Sequence, residues 1–250
     1  MIPLRTGTEI DAIARAGSIL ARLFQAIEPK IVAGVSTAEL DRFAEEFIRS
    51  HDGAKPSFKG LYGFPATLCT SINEEVVHGI PGRKRKLREG DIVSLDAGVK
   101  LAGWCADHAV TFPVGSIDAP TRELLSVTRE SLEAGIAMAR PGNRVGDIGA
   151  AIQDVAESAG LSVVRELVGH GVGRLPHEKP EVPNFGRPGT GIRLMAGLVL
   201  AIEPMLNRGQ REIETLPDEW TVVTADRQRS AHFEHTVAVT ADGPRVLTVP

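Results

Sequence analysis

Seven residues of this chain carry side chains that could perform chemistry, and each lies in a stretch whose pattern is typical of a strand or a tight turn. Four of them are carboxylates, which are costly to bury among apolar neighbours unless a cation neutralises them. The apolar segments that hold Asp96, Glu203 and Glu234 contain no lysine or arginine. A pair of divalent metal ions would neutralise these acids, and the sequence therefore indicates a hydrolytic enzyme. The seven residues are His78, Asp96, Asp107, His170, His177, Glu203 and Glu234.

The first two carboxylates are predicted to lie side by side on a hairpin. Asp96 belongs to the apolar segment 92–99, Asp107 follows eleven residues later, and residues 100–103 supply a turn. Such a hairpin brings their Cβ atoms to within roughly 5–8 Å of each other. At that distance two bare carboxylates repel, whereas a metal pair keeps both ionised. The pattern leaves open the alternative that either aspartate is only a turn residue.

Two glutamates and a histidine extend this set. Glu203 ends the apolar run 198–202, and Pro204 then stops the strand. Glu234 begins another alternating strand, although either glutamate alone could be an edge-strand charge that prevents aggregation. His170 is flanked by glycines, which let backbone and ligand approach closely. Its segment lacks the complete G-x-G-x-x-G motif of a phosphate-binding loop, so we do not expect it to bind phosphate.

This ligand set favours some metals over others. One imidazole with four carboxylates is an oxygen-rich set that suits Mn(II), Fe(II), Co(II) or Zn(II). His232 and His235 do not form an H-E-x-x-H zinc helix, because the order is wrong and the segment is strand-like. Two ions about 3.5–4 Å apart can share a hydroxide and polarise a peptide carbonyl, and a free amino terminus could coordinate one of them. The spacing therefore predicts aminopeptidase chemistry as readily as any other hydrolysis.

Two pairs of helices must position these residues. Apolar residues recur at helical spacing over 8–27, and the capping-box pattern at 36–39 begins a second helix. A similar pair follows at 121–139 and from 145 to about 160. Each pair precedes a group of strand-like segments, which suggests two related halves.

A shift that places Gly34 on Gly142 aligns the two helix pairs as a faint repeat. Strict βαβ alternation is absent, so a doubly wound parallel sheet is not expected. We predict an α/β chain of the α+β type, with a largely antiparallel curved sheet and both helix pairs on one face. It forms a single domain, 1–250, with halves at roughly 8–114 and 121–240. The predicted strands are 67–72, 75–78, 92–99, 104–114, 163–168, 198–205, 219–224 and 232–239.

The bulk composition is that of an ordinary globular protein. The 250 residues are 42% hydrophobic and 24% charged, and a net charge of −4 argues against a general nucleic-acid binder. Two cysteines, Cys69 and Cys105, give no disulfide framework and suit a reducing compartment. The start of the chain lacks a signal-peptide pattern, and no apolar stretch approaches the roughly 18 residues that span a membrane. We therefore expect a cytoplasmic protein.

The segments around these residues resemble those of methionine aminopeptidases of the bacterial, type I kind. The resemblance follows family order over nearly the whole chain. It implies the pita-bread fold with internal pseudo-two-fold symmetry, in agreement with the faint repeat. The matching segments are TSINE at 70–74, VHGIP at 77–81, SLDAG at 94–98, GHGVG at 169–173, PHE at 176–178, AIEP at 201–204 and FEHT at 233–236.

The resemblance also implies roles for the seven residues. His78 and His177 would hydrogen-bond the substrate and stabilise a tetrahedral intermediate. Asp107 and Glu234 would bridge two metal ions, a metal-bridging hydroxide would be the nucleophile, and Glu203 would shuttle a proton. The implied reaction removes the initiator methionine from new chains whose second residue is small. The implied metal ligands are Asp96, Asp107, His170, Glu203 and Glu234.

A methionine side chain needs an apolar, polarisable slot. By the same resemblance, the pocket positions are Phe58, Leu61, Phe64, Cys69 and Trp220. Phe58 and Leu61 depart from the cysteine and tyrosine often found there, which alters the expected pocket shape. The alternative is that Phe64 and Trp220 are simply core residues.

The sequence leaves two other functions open. A proline-specific pita-bread peptidase is one, although such relatives carry an additional N-terminal domain. A non-catalytic binding protein of the same fold is the other, although such relatives lose metal ligands that are complete here. The basic run 83–88 is expected to be a solvated loop, and the alternative is contact with ribosomal RNA. The expected partners are nascent polypeptide N-termini, with the ribosome as a candidate, and the chain is expected to be monomeric.

Overall fold

The computed structural model of the chain describes residues 2–250, and Met1, the first residue of the predicted domain, lies outside the described residues. All four predicted helices are present, with bounds close to those expected from the sequence. Within residues 2–250, no helix is both long and apolar enough to cross a membrane. The α-helices are α1 (Gly7–Ile27), α2 (Thr37–Arg49), α3 (Ala119–Met138) and α4 (Val145–Ser158).

Side chains cap the first two helices, and the cap of α2 is the one that the sequence predicts. The Ser36 hydroxyl accepts a hydrogen bond from the Glu39 amide at 3.3 Å, and the Glu39 carboxylate accepts one from the Ser36 amide at 2.9 Å. Thr6 and Glu9 form the same reciprocal pair at the start of α1. These contacts satisfy amides that the helix itself leaves without partners. They fix where each helix begins.

Short strands make up most of the remaining regular structure. Many contain only three to five residues, and the two long ones, β4 and β5, form the predicted hairpin. The strands are β1 (Ala54–Pro56), β2 (Leu68–Ile72), β3 (Glu75–Val77), β4 (Ile92–Leu101), β5 (Trp104–Pro113), β6 (Ser162–Val163), β7 (Gly169–Gly171), β8 (Glu178–Val182), β9 (Val199–Ile202), β10 (Met205–Asn207), β11 (Ile213–Thr215), β12 (Val222–Thr224), β13 (Ser230–His232), β14 (Glu234–Thr240) and β15 (Gly243–Val246).

In the described part of the chain, nine strands form one antiparallel sheet in the order β1-β4-β5-β14-β9-β7-β8. Strand β2 also pairs with β4, and β15 also pairs with β14. Strands from the two predicted halves meet where β5 pairs with β14. Two three-stranded sheets, β13-β10-β6 and β11-β12-β3, lie beside this sheet. The largely antiparallel sheet predicted from the sequence is confirmed.

Alternation along the strands separates the core from the candidate site. Val93 and Leu95 of β4 are buried against α1 and α2. Further along the same face, Leu200 and Val237 are buried against α3 and α4. Asp96, whose side chain points to the opposite face, lines a cavity. The helices therefore cover one face of the sheet, as predicted, and leave the other face free for chemistry.

Four predicted strands have clearly different bounds, and one of them, 219–224, is shortened to β12 (Val222–Thr224). The predicted strand 198–205 is two strands, because the chain leaves the large sheet at Glu203 and Pro204 and β10 joins a small sheet. The predicted strand 232–239 likewise divides at Phe233, and strand 163–168 shortens to β6. A local pattern of apolar residues does not distinguish one continuous strand from two strands in different sheets.

Five strands were not predicted. They are short, and four of the five contain proline or glycine, which are rare in strands. Strand β8 reads EKPEV, for example, and still pairs with β7. The unpredicted strands are β1, β7, β8, β11 and β15.

Candidate active site

The hairpin β4–β5 places two aspartates on the same face of the sheet. Asp96 lies opposite Ala109, and Asp107 lies opposite Gly98, so the two carboxylates are offset by two residues along the strands. This offset is the one that the sequence predicts. Both side chains face the cavity, away from α1 and α2.

A threonine of β14 fixes the backbone of Asp107. Direct pairing between β14 and β5 is limited to Glu234 with Ala109 and His235 with His108. Beyond these pairs, the Thr236 hydroxyl accepts a hydrogen bond from the Asp107 amide at 2.9 Å and donates one to the Asp107 carbonyl at 2.8 Å. The hydroxyl thus takes the place of a backbone hydrogen-bonded pair between the two strands, and it holds Asp107 beside Glu234.

The structure brings the five predicted metal ligands together. Ligand atoms of Asp96, Asp107 and Glu234 lie within 4.8 Å of one another. The same holds for His170, Glu203 and Glu234, so that Glu234 belongs to both groups. Two adjacent ligand groups with a shared carboxylate are what a pair of ions requires.

Burial without a compensating cation perturbs all four carboxyl groups. Burial raises the pKa of Asp96 and that of Glu203 to about 7. Burial, together with the neighbouring carboxylates, raises the pKa values of Asp107 and Glu234 well above their usual range. Among the described residues that line the cavity, none is a lysine or arginine. The protein itself therefore does not supply the cation that would keep these acids ionised.

Two carboxylate oxygens of the site have no hydrogen-bond partner among the described residues. They are Asp96 Oδ1 and Glu234 Oε1, and both atoms are buried. Buried polar atoms are rarely left unpaired, so such atoms call for a ligand.

His170 is oriented as a metal ligand. Its Nδ1 lies 3.0 Å from the Gly171 carbonyl, which can only accept, so Nδ1 carries the proton. Burial lowers the pKa of His170, which keeps the ring neutral. The unprotonated Nε2 then faces Glu203 Oε1 at 3.4 Å, and two acceptors in that arrangement need a cation between them. The donor set therefore fits divalent metal.

The glycines around His170 are required by close backbone approach. A Cβ atom at residue 169 would lie 2.3 Å from the Ala201 carbonyl oxygen, and one at residue 171 would lie 2.4 Å from the Lys179 carbonyl oxygen. Only glycine allows β7 to lie this close to its neighbours. The glycines fix the strand that carries the imidazole.

The two predicted substrate-binding histidines line the same cavity. His78 has a left-handed backbone (φ 60°), and burial lowers the pKa of its ring to about 4. His177 is exposed at the cavity mouth, with its ring edge-on to that of His170 at 4.4 Å between centroids. Burial, followed by the nearby His78, lowers the pKa of His177. Both rings are neutral at physiological pH and can donate a hydrogen bond.

An apolar pocket adjoins the carboxylates within a cavity of about 380 Å³. Phe58, Phe64 and Cys69 are buried there, with Leu61 and Trp220 packed against them. The Phe64 and Trp220 rings meet edge to face at 5.1 Å. The five predicted pocket residues thus form one cluster that lines the cavity rather than the main core.

Sequence reasoning missed two aromatic residues of this site. His232 lines the cavity, is 2% exposed, and has no hydrogen-bond partner for either ring nitrogen among the described residues. It lies two positions before Glu234, and strand alternation could have placed it on the same face. Tyr62, which has a left-handed backbone, lines the cavity and stacks on His177 with 5.9 Å between the ring centroids. No local pattern marks Tyr62 in the sequence.

Comparison with known proteins agrees with this geometry. Residues 11–241 match the model of metallopeptidase family M24. The chain is 54% identical to a methionine aminopeptidase of Clostridium perfringens, over 100% of this chain and 99% of that protein. It is 50% identical to methionine aminopeptidase 1 of Bacillus subtilis, over 99% of both.

Solved structures show the same fold. The methionine aminopeptidase of Thermotoga maritima superposes with a TM-score of 0.98 at 44% identity and covers all of both chains. The prolidase of Pyrococcus horikoshii, at 22% identity, has a TM-score of 0.79 over 98% of this chain and 63% of that one, and it shares the fold alone. The curled antiparallel sheet, the converging acids and the family match together show that this chain belongs to metallopeptidase family M24.

Proposed function

We propose that this protein is a metal-dependent aminopeptidase that removes the N-terminal methionine from nascent proteins whose second residue is small. The observation that carries the proposal is the convergence of four carboxyl groups, two buried and two partly buried, with the unprotonated Nε2 of His170 beside an apolar pocket. Full-length relatives named methionine aminopeptidase support the same reaction. The proline-specific alternative is not favoured, because the solved prolidase shares only the fold.

The ligand set would hold two divalent ions. Glu234 would be shared between them, because it belongs to both ligand groups, and the resemblance to the family implies Asp107 as the second shared carboxylate. Divalent ions in such a site supply an activated water and polarise the carbonyl of the scissile bond. Oxygen ligands with a single imidazole suit Co(II), Mn(II), Fe(II) or Zn(II). The proposed ligands are Asp96, Asp107, His170, Glu203 and Glu234.

Three side chains are proposed to act on the substrate. His78 and His177, both neutral, would donate hydrogen bonds to the substrate backbone, where charge develops during hydrolysis. Burial raises the pKa of Glu203 to about 7, so this carboxyl group is suited to hold or release a proton near neutral pH. Each of these three side chains lines the cavity and can therefore reach a bound substrate.

The apolar cluster is proposed to bind the methionine side chain. Phe64, Cys69 and Trp220 line the cavity next to the acidic groups, and their surfaces are apolar or polarisable. Phe58 is buried beside them, and a Cβ atom on Gly98 would lie 2.0 Å from Ser57 Oγ and 2.8 Å from the Phe58 ring. Gly98 therefore lets the pocket wall lie directly on β4.

The proposed substrate suggests where in the cell the protein acts. Nascent chains are made in the cytoplasm, where we propose that the protein acts as a monomer. The exposed basic residues of segment 83–88 are proposed to contact the ribosome, from which such substrates emerge.

Hydrolysis of three peptides by metal-reconstituted protein tests this function. Methionine should be released from Met-Ala-Ser at least about 100-fold faster than from Met-Lys-Ser, and Ala-Pro-Ser should stay intact. The Asp96→Asn variant should lose activity on all peptides, because it removes a ligand charge. Equal rates on both methionine peptides, or cleavage of Ala-Pro-Ser, would contradict the proposal.

A further inference from the structure

The side chain of His177 has few contacts of its own. Residues 172–177 connect β7 to β8, and His177 itself is exposed, so its side chain is not held by core packing. Its ring makes an edge contact with that of His170 and a stacking contact with that of Tyr62. The backbone of the loop must therefore determine where the imidazole lies.

Glu178, the residue after His177, organises that backbone. Its Oε1 accepts hydrogen bonds from the amides of Arg174 at 2.7 Å and Leu175 at 3.1 Å. The Cys105 amide, on β5, donates to the Gly173 carbonyl at 2.8 Å. One carboxylate oxygen thus holds the loop in a tight turn, and its other oxygen remains for a partner outside the loop.

That partner comes from the other end of the chain. Arg5, just before α1, forms an ion pair with Glu178 Oε2, and the two side chains are only 11% and 12% exposed. The Arg5 amide is fixed at 2.7 Å to the Gly197 carbonyl, ahead of β9. The Arg5 guanidinium therefore contacts the loop from a backbone that is held in place by a hydrogen bond.

Close packing makes the contact specific. A Cβ atom at Gly173 would lie 2.1 Å from Arg5 Nη2, so glycine is needed for the guanidinium to reach Glu178. The Trp104 ring lies 5.3 Å from the Arg5 guanidinium and 3.7 Å from that of Arg174, and contacts both cations. Arginine suits such a site better than lysine, since its planar group can pair and stack at once.

We propose that Arg5 is a positioning residue for the aminopeptidase reaction: it holds Glu178, and through it the loop that presents His177 to the substrate. The inference rests on the proposed function of His177. Displacement of a catalytic group by about 1 Å can reduce a rate about 100-fold, so a loose loop should impair turnover more than binding.

Steady-state kinetics on Met-Ala-Ser at saturating metal test the role. Arg5→Met should lower kcat at least about 10-fold and change KM less than about threefold, and Arg5→Lys, which keeps the charge but not the planar group, should recover only part of that loss. Arg245→Met is the matched control, because Arg245 also ties α1 to a distant strand, through Asp11 at 2.7 Å, but in an exposed pair. Its kcat should stay within about twofold of the parent.

A structural readout separates this idea from the proposed function. In the zinc-loaded protein, Arg5→Met should shift or broaden the His177 ring NMR signal and leave that of His51 unchanged, whatever the activity. If Arg5→Met does not fold, Glu178→Gln replaces it with the same expectations. An unchanged His177 signal with unchanged kcat, or an equal loss in Arg245→Met, would overturn the proposal. A parent protein that releases no methionine would instead contradict the proposed function.

Discussion

At the scale of single residues, Asp96 illustrates how burial and metal binding oppose each other. Its pKa is raised from 3.8 to about 7 by burial, so the folded metal-free protein binds a proton that the unfolded chain releases near pH 4. The stability that this proton contributes is present below pH 4 and is lost as the pH rises through about 7. The metal-free protein should therefore melt at a lower temperature at pH 8 than at pH 6.

Asp96→Asn tests this argument, because asparagine resembles the protonated acid. In the presence of a chelator at pH 8, the variant should melt about 2–4 °C higher than the parent, with a smaller gain at pH 6. Thermal unfolding followed by circular dichroism measures both values. Asp11→Asn, at an exposed site, should give no gain. A lower melting temperature for Asp96→Asn at both pH values would show that burial of the charge is not the dominant effect.

The sequence identifies residues whose type is unusual for their surroundings. Asp96 and Glu203 are predictable because acids are rare in apolar segments, and the structure places both at the cavity. His232 fits no known motif spacing, although its buried ring has Nε2 3.6 Å from Glu203 Oε2. A histidine in an apolar strand has too many structural explanations to be assigned from sequence. Its role depends on which side chains a distant strand brings near it.

At the scale of elements, local patterns predict hairpins and helices but not strand junctions. The β4–β5 register follows from alternation and a short turn, both local. The end of β9 at Glu203 depends on β10 pairing with β13, a contact between segments far apart in the chain. Strand β8 pairs in spite of its proline and charges, because β7 lies alongside it. Tertiary pairing overrides local preference at these places.

Thr236 offers a test at this scale, because its hydroxyl joins β14 to β5 at Asp107. Thr236→Val should lower the free energy of unfolding by about 2–4 kcal/mol, since two buried backbone groups lose their partner at about 1–3 kcal/mol each. It should also weaken metal binding. Urea unfolding and calorimetric metal titration measure the two effects.

The control for this variant lies on the same strand. The Thr240 hydroxyl donates to the Gly243 carbonyl at 2.7 Å, in a partly exposed position where water can replace it. Thr240→Val should therefore cost less than about 1 kcal/mol and leave metal binding unchanged. Equal effects of the two substitutions would mean that the Asp107 backbone does not depend on the Thr236 hydroxyl.

At the scale of the whole molecule, the candidate site lies between the two predicted halves. Asp96 and Asp107 come from the half at 8–114, and the other three proposed ligands come from 121–240. The division into related halves remains a prediction, although Gly34 and Gly142 share a left-handed backbone. Other long-range features had no signal in the sequence. The Arg5–Glu178 pair joins positions 173 residues apart, and neither residue is unusual in its own segment.

The basic segment 83–88 concentrates positive charge in one part of the molecule. The net charge is −4, so any attraction to RNA must be local. Within segment 83–88, Arg85 forms an ion pair with Glu75 and donates hydrogen bonds to the Thr70 and Ile80 carbonyls. Its guanidinium therefore stabilises the fold and is not free to bind RNA. The basic neighbours of Arg85 are exposed. The segment begins just after Ile80, which packs against the apolar cluster of the cavity, so the basic group lies near the proposed active site.

Reversing two of these charges should weaken binding to ribosomes without affecting the chemistry. Arg83→Glu with Lys84→Glu should reduce co-sedimentation with ribosomes and lower the slope of log affinity against log salt by about 2, because two phosphate contacts are lost. Turnover of Met-Ala-Ser, which needs no ribosome, should stay within about twofold of the parent. Arg187→Glu with Arg193→Glu makes the same charge change in another exposed segment and should sediment like the parent. If both double variants lose binding equally, net charge rather than a docking loop governs the attraction.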